Sequence, residues 1–115
     1  MPLVRIDLPA GKPADFRRTV GDVIYDAMRE TINVPENDRF QIFTEHALGN
    51  LVIDRTYLGI DRSADAIVVQ VTLNEGRDAD VKKNFYRTLA DGLRERVGLG
   101  PEDLVVNLVE VKREN

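Results

Sequence analysis

Few residues in this chain have side chains suited to covalent or acid–base chemistry. The 115 residues include one histidine, His46, and no cysteine. The lack of cysteine excludes a thiol nucleophile, a thiolate zinc site and a disulfide framework. A single histidine argues against a His-rich metal cluster and against a Ser-His-Asp triad. Acids and cations remain. Arg77 sits in the turn Glu75-Gly76-Arg77 ahead of an expected helix. Its planar guanidinium has the fork that grips both oxygens of a carboxylate. Asp38 follows Pro35-Glu36-Asn37, a setting in which Asp is common as a turn or strand-entry residue. Phe40, two residues on, faces the same way along an extended chain and is a candidate wall for an apolar pocket. His46, beside Glu45, closes an expected strand, where a surface or capping role is the natural one. Tyr57 and Arg62 lie in a long insert whose placement the sequence does not fix.

The formal net charge is −4, which argues against a broad basic face for nucleic acid. With 43% apolar and 31% charged residues, the chain reads as one soluble globular domain spanning residues 1–115. Arg5 and Asp7 interrupt the opening Met1-Pro2-Leu3-Val4-Arg5-Ile6-Asp7-Leu8, so no signal-peptide run is expected there. The longest apolar stretch, around Ala66 to Val71, is far short of the ~20 residues of a membrane span. A cytoplasmic protein without membrane or nucleic-acid partners is the expectation.

The elements that must position these groups occur twice. A shift of 65 residues pairs Leu8 with Leu73, Gly11 with Gly76, Ala14-Asp15 with Ala79-Asp80, and Arg29-Glu30 with Arg94-Glu95. One further residue at Gly100 brings Pro35-Glu36 onto Pro101-Glu102. Under the same shift Lys12 stands opposite Arg77, cationic but without the fork. Each half reads strand, turn, helix, strand. Leu3 to Leu8 is β-rich and is broken by Pro9, Gly11 and Pro13. Phe16, Val20, Ile24 and Met28 then share one helical face. Phe40 to Phe43 reads as a second strand. In the second half Ile67 to Leu73 is a strand, and Val81, Phe85, Leu89, Leu93 and Val97 form one apolar stripe. Leu104 to Val109 is the last strand. The first half covers about residues 1–46, an insert about 47–65, and the second half about 66–115. Leu51-Val52-Ile53 in the insert has the composition of a short extra strand. The fold class is therefore α/β (α+β), two tandem βαβ units forming a four-stranded sheet with two helices. The strands are nearly continuous apolar runs, which suit a sheet covered on both faces. Two helices cover one face, so an oligomer is expected to cover the other.

Two βαβ units opened by Met1-Pro2 resemble the tautomerase superfamily, whose fold is that of 4-oxalocrotonate tautomerase and macrophage migration inhibitory factor. Within it the sequence is most similar to malonate semialdehyde decarboxylase-like members. The matching stretches are Pro2-Leu3, Tyr25-Asp26-Ala27-Met28, Val34 to Gln41, Leu58-Gly59 and Arg62-Ser63. Glu75-Gly76-Arg77 resembles the turn after the first strand of 4-oxalocrotonate tautomerase. The resemblance implies a trimer. It also implies that Met1 is removed and that Pro2 becomes a catalytic amino terminus. A free secondary amine is an acid or base that needs no side chain. An α-amino group ordinarily titrates near about 8, and burial or nearby cations lower it toward neutrality. If Met1 stays attached, the nitrogen of Pro2 is a tertiary amide without basicity. Arg77 takes the position of the family's substrate-binding arginine. Asp38 takes that of an aspartate close to the proline. The decarboxylases carry a second arginine two residues before the one matched by Arg77, and here Glu75 stands in that place.

The expected function is keto–enol tautomerisation of a small 2-keto/enol carboxylic acid. Pro2, Asp38 and Arg77 would be catalytic, Arg77 and Phe40 would bind the substrate, and no metal or organic cofactor is needed. Decarboxylation of malonate semialdehyde is the alternative enzyme reading, weakened by the charge of Glu75. A non-catalytic oligomeric domain that binds a ligand or protein is the alternative from another class. The expected partners are a small anionic carbonyl substrate and two further copies of the chain. The closing Lys112-Arg113-Glu114-Asn115 reads as a solvated tail.

Overall fold

The computed structural model describes residues 2–115. Met1, whose removal the resemblance requires, lies outside the described residues. The elements run β1 (Leu3–Pro9), α1 (Ala14–Ile32), β2 (Gln41–His46), β3 (Ile67–Asn74), α2 (Ala79–Val97) and β4 (Leu104–Val111), with short 3-10 turns at Tyr57–Gly59 and Pro101–Asp103. The four strands form one sheet in the order β2-β1-β3-β4. β1 pairs with β2 in parallel and with β3 antiparallel, and β3 pairs with β4 in parallel.

The internal repeat is physical as well as textual. Both helices are 19 residues long, and α2 begins and ends 65 residues after α1. The turn before each helix passes through a glycine at positive φ, Gly11 at 101° and Gly76 at 125°. Side chains rarely adopt that backbone region, and glycine enters it without a steric penalty. Each helix ends in a left-handed residue, Asn33 after α1 and Gly98 after α2, the usual way to satisfy the last carbonyls. The starts differ. Asp78 caps α2 by accepting from the N–H of Val81, whereas α1 opens after Pro13 without a side-chain cap.

Alternate residues of the two central strands point at the helices. Val4, Ile6 and Leu8 of β1, and Ile67, Val69, Val71 and Leu73 of β3, are buried. They meet Val20, Ile24 and Met28 of α1 and Phe85, Leu89 and Leu93 of α2 in one core. Burying each such side chain contributes about 1.5–3 kcal/mol, so this single layer of contacts dominates stability. The helices approach closely at Gly92, where a Cβ would lie 2.8 Å from Cγ1 of Val23.

The other face of the sheet has no helix. It carries Ile42, Arg5, Gln70 and Asn107 in register across the four strands, with Val109 two residues further along β4, opposite Thr72. Gln70 donates to Asn107 at 2.8 Å, while Ile42 and Val109 remain exposed. Runs that read as apolar on both sides therefore sort into a buried face and a mixed one.

Two boundaries and one element differ from expectation. β2 starts at Gln41 rather than Phe40 and continues to His46, because β1 offers it partners as far as Pro9. β4 continues past Val109 to Val111, because Leu73 and Asn74 of β3 supply its last pairings. The short strand expected at Leu51–Ile53 does not form. That segment has the composition of a strand but pairs with none of the four strands, and composition without a ladder partner makes no strand. The insert is instead held by side chains. Asp103, buried at the start of β4, accepts from the N–H of Ser63 at 2.7 Å and from its hydroxyl at 2.6 Å. Asp54 accepts from the N–H groups of Thr56 and Tyr57, which closes the 3-10 turn and lowers its carboxyl below the ordinary value.

Candidate active site

The start of β1 is the meeting point of three separate segments. Pro2 is buried and immediately precedes the strand. On one side, the N–H of Val4 donates to the carbonyl of Phe40 at 3.0 Å, and Val4 stands opposite Gln41. The paired register ends at Val4 and Gln41, and Arg39 and Asp38 lie two and three residues before Gln41 in unpaired chain. On the other side Leu3 stands opposite Thr72 of the antiparallel β3. One residue further sets Pro2 level with Leu73, next to Asn74. The carbonyl of Asn74 in turn accepts from Nη1 of Arg77 at 3.1 Å. A mixed sheet with β1 between a parallel and an antiparallel neighbour thus gathers Pro2, Asp38 and Arg77 at one end.

Arg77 is a fixed cation. Besides the Asn74 carbonyl, its Nη2 donates to the carbonyl of Ile32, in the last turn of α1, at 3.2 Å. Those two bonds use two of its five N–H donors. Three remain, enough for a bidentate grip on a carboxylate. Two acids lie nearby. Glu75 is exposed, and its N–H donates to the carbonyl of Val111. Glu110 is hydrogen-bonded to Lys82 at 2.7 Å. That bond first, then the Lys82 charge, the N–H of Gly76 and the charge of Arg77, hold the Glu110 carboxyl below its ordinary value against the opposing effect of desolvation.

Asp38 is half-buried at the end of the turn from Pro35, to whose carbonyl its N–H donates at 3.2 Å. Asn37 in this turn is left-handed, at φ 67°. Its N–H donates to the hydroxyl of Tyr25 at 2.8 Å. The Tyr25 ring also carries the guanidinium of Arg39, 5.1 Å from its centroid, and Arg39 pairs with Asp22 at 2.9 Å. Tyr25 therefore positions the Asp38 turn. Its position in the stretch Tyr25-Asp26-Ala27-Met28 was the signal for it, although a helical tyrosine carries no such role by pattern alone. Phe40 is 48% exposed at this end of the sheet.

The remaining candidates lie elsewhere. His46 stands opposite Pro9, at the far end of β1, and pairs with Asp7 at 2.6 Å. Lys12 is at that far end too, paired with Asp65 at 2.9 Å. Tyr57 is exposed, and Arg62 donates within the insert to the carbonyls of Asp54 and Tyr57. Among the described residues there is no group of three or more His, Asp or Glu that could hold a metal ion. No described helix is long and apolar enough to cross a membrane.

A cavity of about 310 Å³ opens at the Pro2 end on the helix-free face. Its walls are Leu3, Thr72, Leu73, Asn74, Val111, Arg113 and Asn115, and none of Pro2, Asp38 and Arg77 lines it. Such a volume suits a small metabolite. A pinned arginine can bind an anion, and a strand-start proline can pass a proton only as a free amino terminus.

Comparison with known proteins places this arrangement. A family model described as tautomerase enzyme matches residues 38–115, and a second of the same description matches residues 2–60. The probable tautomerase YrdN of Bacillus subtilis (strain 168) is 36% identical over 96% of this chain and 84% of its own. The crystal structure of malonate semialdehyde decarboxylase superposes with a TM-score of 0.89 at 32% identity, covering 96% of this chain and 84% of that one. That enzyme was solved as wild type, as a proline-to-alanine mutant and in an inactivated form, in relation to decarboxylase and hydratase activities. A fused 4-OT described as a symmetric trimer matches at a TM-score of 0.81 and 19% identity, over 98% of this chain and 88% of that one, a likeness of fold.

Proposed function

The chain belongs to the tautomerase superfamily and is an enzyme of it, and on that premise we propose that it interconverts the keto and enol forms of a small 2-keto carboxylic acid. Pro2, once Met1 has been removed, is the acid and base. Its secondary amine takes the proton from the enol oxygen and delivers it to the neighbouring carbon, and the reverse step follows the same path. Burial disfavours the cation of an amine and brings its titration toward neutral pH, where proton transfer in both directions is efficient. Arg77 holds the substrate carboxylate through the N–H groups not committed to Asn74 and Ile32. Asp38 orients the substrate and steadies the protonated amine. Phe40 provides apolar surface. The reaction needs neither metal nor organic cofactor.

What supports this reading is that the start of β1, just after Pro2, lies beside Phe40 and Gln41, which follow Asp38, and beside the end of β3, whose Asn74 carbonyl accepts from Arg77. A homotrimer belongs to the same reading. It would cover the helix-free face, on which Ile42 and Val109 are exposed. A cytoplasmic location goes with it.

Decarboxylation of malonate semialdehyde is the second reading, favoured by the 32% identity to a decarboxylase of that name. There the Pro2 cation would polarise the aldehyde oxygen while the carbon–carbon bond to the carboxylate breaks. Glu75 counts against it, because it stands where the decarboxylases that this chain resembles carry a second arginine.

The test has two parts. Intact-mass spectrometry should show a chain lacking its first methionine, and quantitative retention would remove both readings. Assays with phenylenolpyruvate, 2-hydroxymuconate and malonate semialdehyde then separate them. Enol consumption without carbon dioxide release supports tautomerisation, and carbon dioxide release from malonate semialdehyde alone supports the second reading.

A further inference from the structure

The turn that presents Arg77 is braced by the last strand and by the helix that follows it. The N–H of Glu75 donates to the carbonyl of Val111 at 2.9 Å, and Glu110, one residue earlier on β4, stands opposite Leu73. The Glu110 carboxylate accepts from Nζ of Lys82, near the start of α2, at 2.7 Å and from the N–H of Gly76. On the other side of Arg77, Asp78 caps α2 by accepting from the N–H of Val81. Arg77 thus stands between two anchored neighbours, and Glu110 holds one of them.

The repeat contains a second copy of this brace, at the end of the sheet away from Pro2. A shift of 65 residues carries Arg17 to Lys82 and Glu45 to Glu110. Arg17 donates to Glu45 at 2.5 Å, Glu45 stands opposite Leu8 as Glu110 does opposite Leu73, and the N–H of Ala10 donates to the carbonyl of His46 as that of Glu75 does to Val111. The two carboxylates are similarly exposed, 35% and 33%, so the copy is a fair control for loss of the pair. What differs is the cation that each turn presents. Lys12 is taken up by Asp65 at 2.9 Å, whereas Arg77 donates to two backbone carbonyls and has N–H groups left over.

We infer that Glu110 is a positioning residue for the carboxylate clamp: it fixes Gly76, and through Gly76 the direction in which the Arg77 guanidinium meets an anion. This rests on the reading of Arg77 as that clamp. Glu110 acts through Arg77 and not on the substrate. Charge and position make opposite demands, which lets them be told apart. Glu110 is close enough to interact with the Arg77 charge, so as a charge alone it opposes an anionic ligand, and its removal would tighten binding. As a brace it has the reverse effect. A bidentate grip depends on the orientation of the fork, so loss of the brace weakens binding.

The experiment compares wild type with Glu110→Ala, Glu110→Gln and Glu45→Ala, urea titration confirming that each is folded. Turnover of phenylenolpyruvate gives KM and kcat separately. Binding of benzoate, a carboxylate with no enol to form, is followed by NMR titration and needs no turnover. KM should rise about tenfold in Glu110→Ala with kcat within about twofold of wild type, and benzoate affinity should fall in parallel. Glu110→Gln keeps an oxygen for the N–H of Gly76, and its KM should rise no more than about threefold. Glu45→Ala loses the equivalent pair and should leave KM within about twofold of wild type. An unchanged or lower KM in Glu110→Ala, or an equal rise in Glu45→Ala, would overturn the inference while leaving the reaction in place. If wild type turns over no enol yet binds benzoate more tightly than Glu110→Ala and Arg77→Ala do, the reaction assigned above fails and the positioning role stands. Benzoate binding that Glu110→Ala does not weaken would overturn that role whatever the reaction.

Discussion

Nη2 of Arg77 donates to the backbone carbonyl of Ile32 at 3.2 Å, which ties the turn after β3 to the last turn of α1. Helix C-termini leave carbonyls without partners and carry partial negative charge, so a guanidinium there is stabilised and held in one orientation. The bond holds the Arg77 guanidinium in one orientation, as the proposed carboxylate clamp requires.

Replacing Arg77 separates these two roles. Arg77→Lys keeps the charge but loses the fork and cannot hold both Asn74 and Ile32 in the same geometry. We expect kcat/KM to fall at least tenfold, mainly through KM, with a stability loss of about 1 kcal/mol. Arg77→Ala should lose about a hundredfold, as two charge-assisted hydrogen bonds disappear. Steady-state kinetics with urea titration of each variant checks both numbers. A lysine variant with unchanged KM would contradict the assigned role.

Much of this architecture could be read in the sequence, because the same unit occurs twice. The 65-residue shift predicts two equal helices, and α1 and α2 obey it to the residue at both ends. Apolar spacing identified the core face of α2 from Val81 to Val97, and the glycines of both turns marked where the strands break. The extra strand at Leu51–Ile53 was misread because strand pairing depends on a neighbour that composition does not reveal. Pro2, Asp38 and Arg77 were each named from sequence, but their common address follows from strand order. Only β1 between β2 and β3 brings residues so far apart in the chain to one edge. Tyr25 is named in the sequence only as part of a matching stretch and Arg113 only as part of a solvated tail. Tyr25 acts through a hydroxyl aimed at the Asn37 backbone, and Arg113 enters the cavity only because β4 runs to the end of β3.

The insert hangs on one buried acid. Asp103 is 7% exposed and accepts twice from Ser63. Asp103→Ala removes both bonds and should cost about 2 kcal/mol. Asp103→Asn can still accept from the N–H of Ser63 and should lose less. Hydrogen exchange at the Ser63 amide, measured alongside chemical unfolding, should speed up in the alanine variant. Unaltered protection would mean that other contacts hold the insert.

Glu110 links the site to pH. Its carboxyl lies below the ordinary 4.5 in the folded chain because Lys82, the N–H of Gly76 and Arg77 all favour the anion. A depressed folded value gives stability that is fully present above the unfolded value and is lost as pH falls through the folded one. Relative to Glu110→Gln, wild type should therefore keep a constant advantage above about pH 4.5 that shrinks on further acidification. Urea midpoints collected across that range test it. A gap independent of pH would show that the carboxylate does not brace the Gly76–Arg77 turn.

The central claim is that the amino-terminal proline carries the proton. Its most direct test is kcat/KM for enol-to-keto conversion of phenylenolpyruvate by Pro2→Ala, with intact mass confirming that both proteins have lost Met1. General acid–base catalysis contributes about 10²–10⁴-fold, and a loss of about 10² or more is predicted here. Activity equal to wild type in Pro2→Ala would contradict the account.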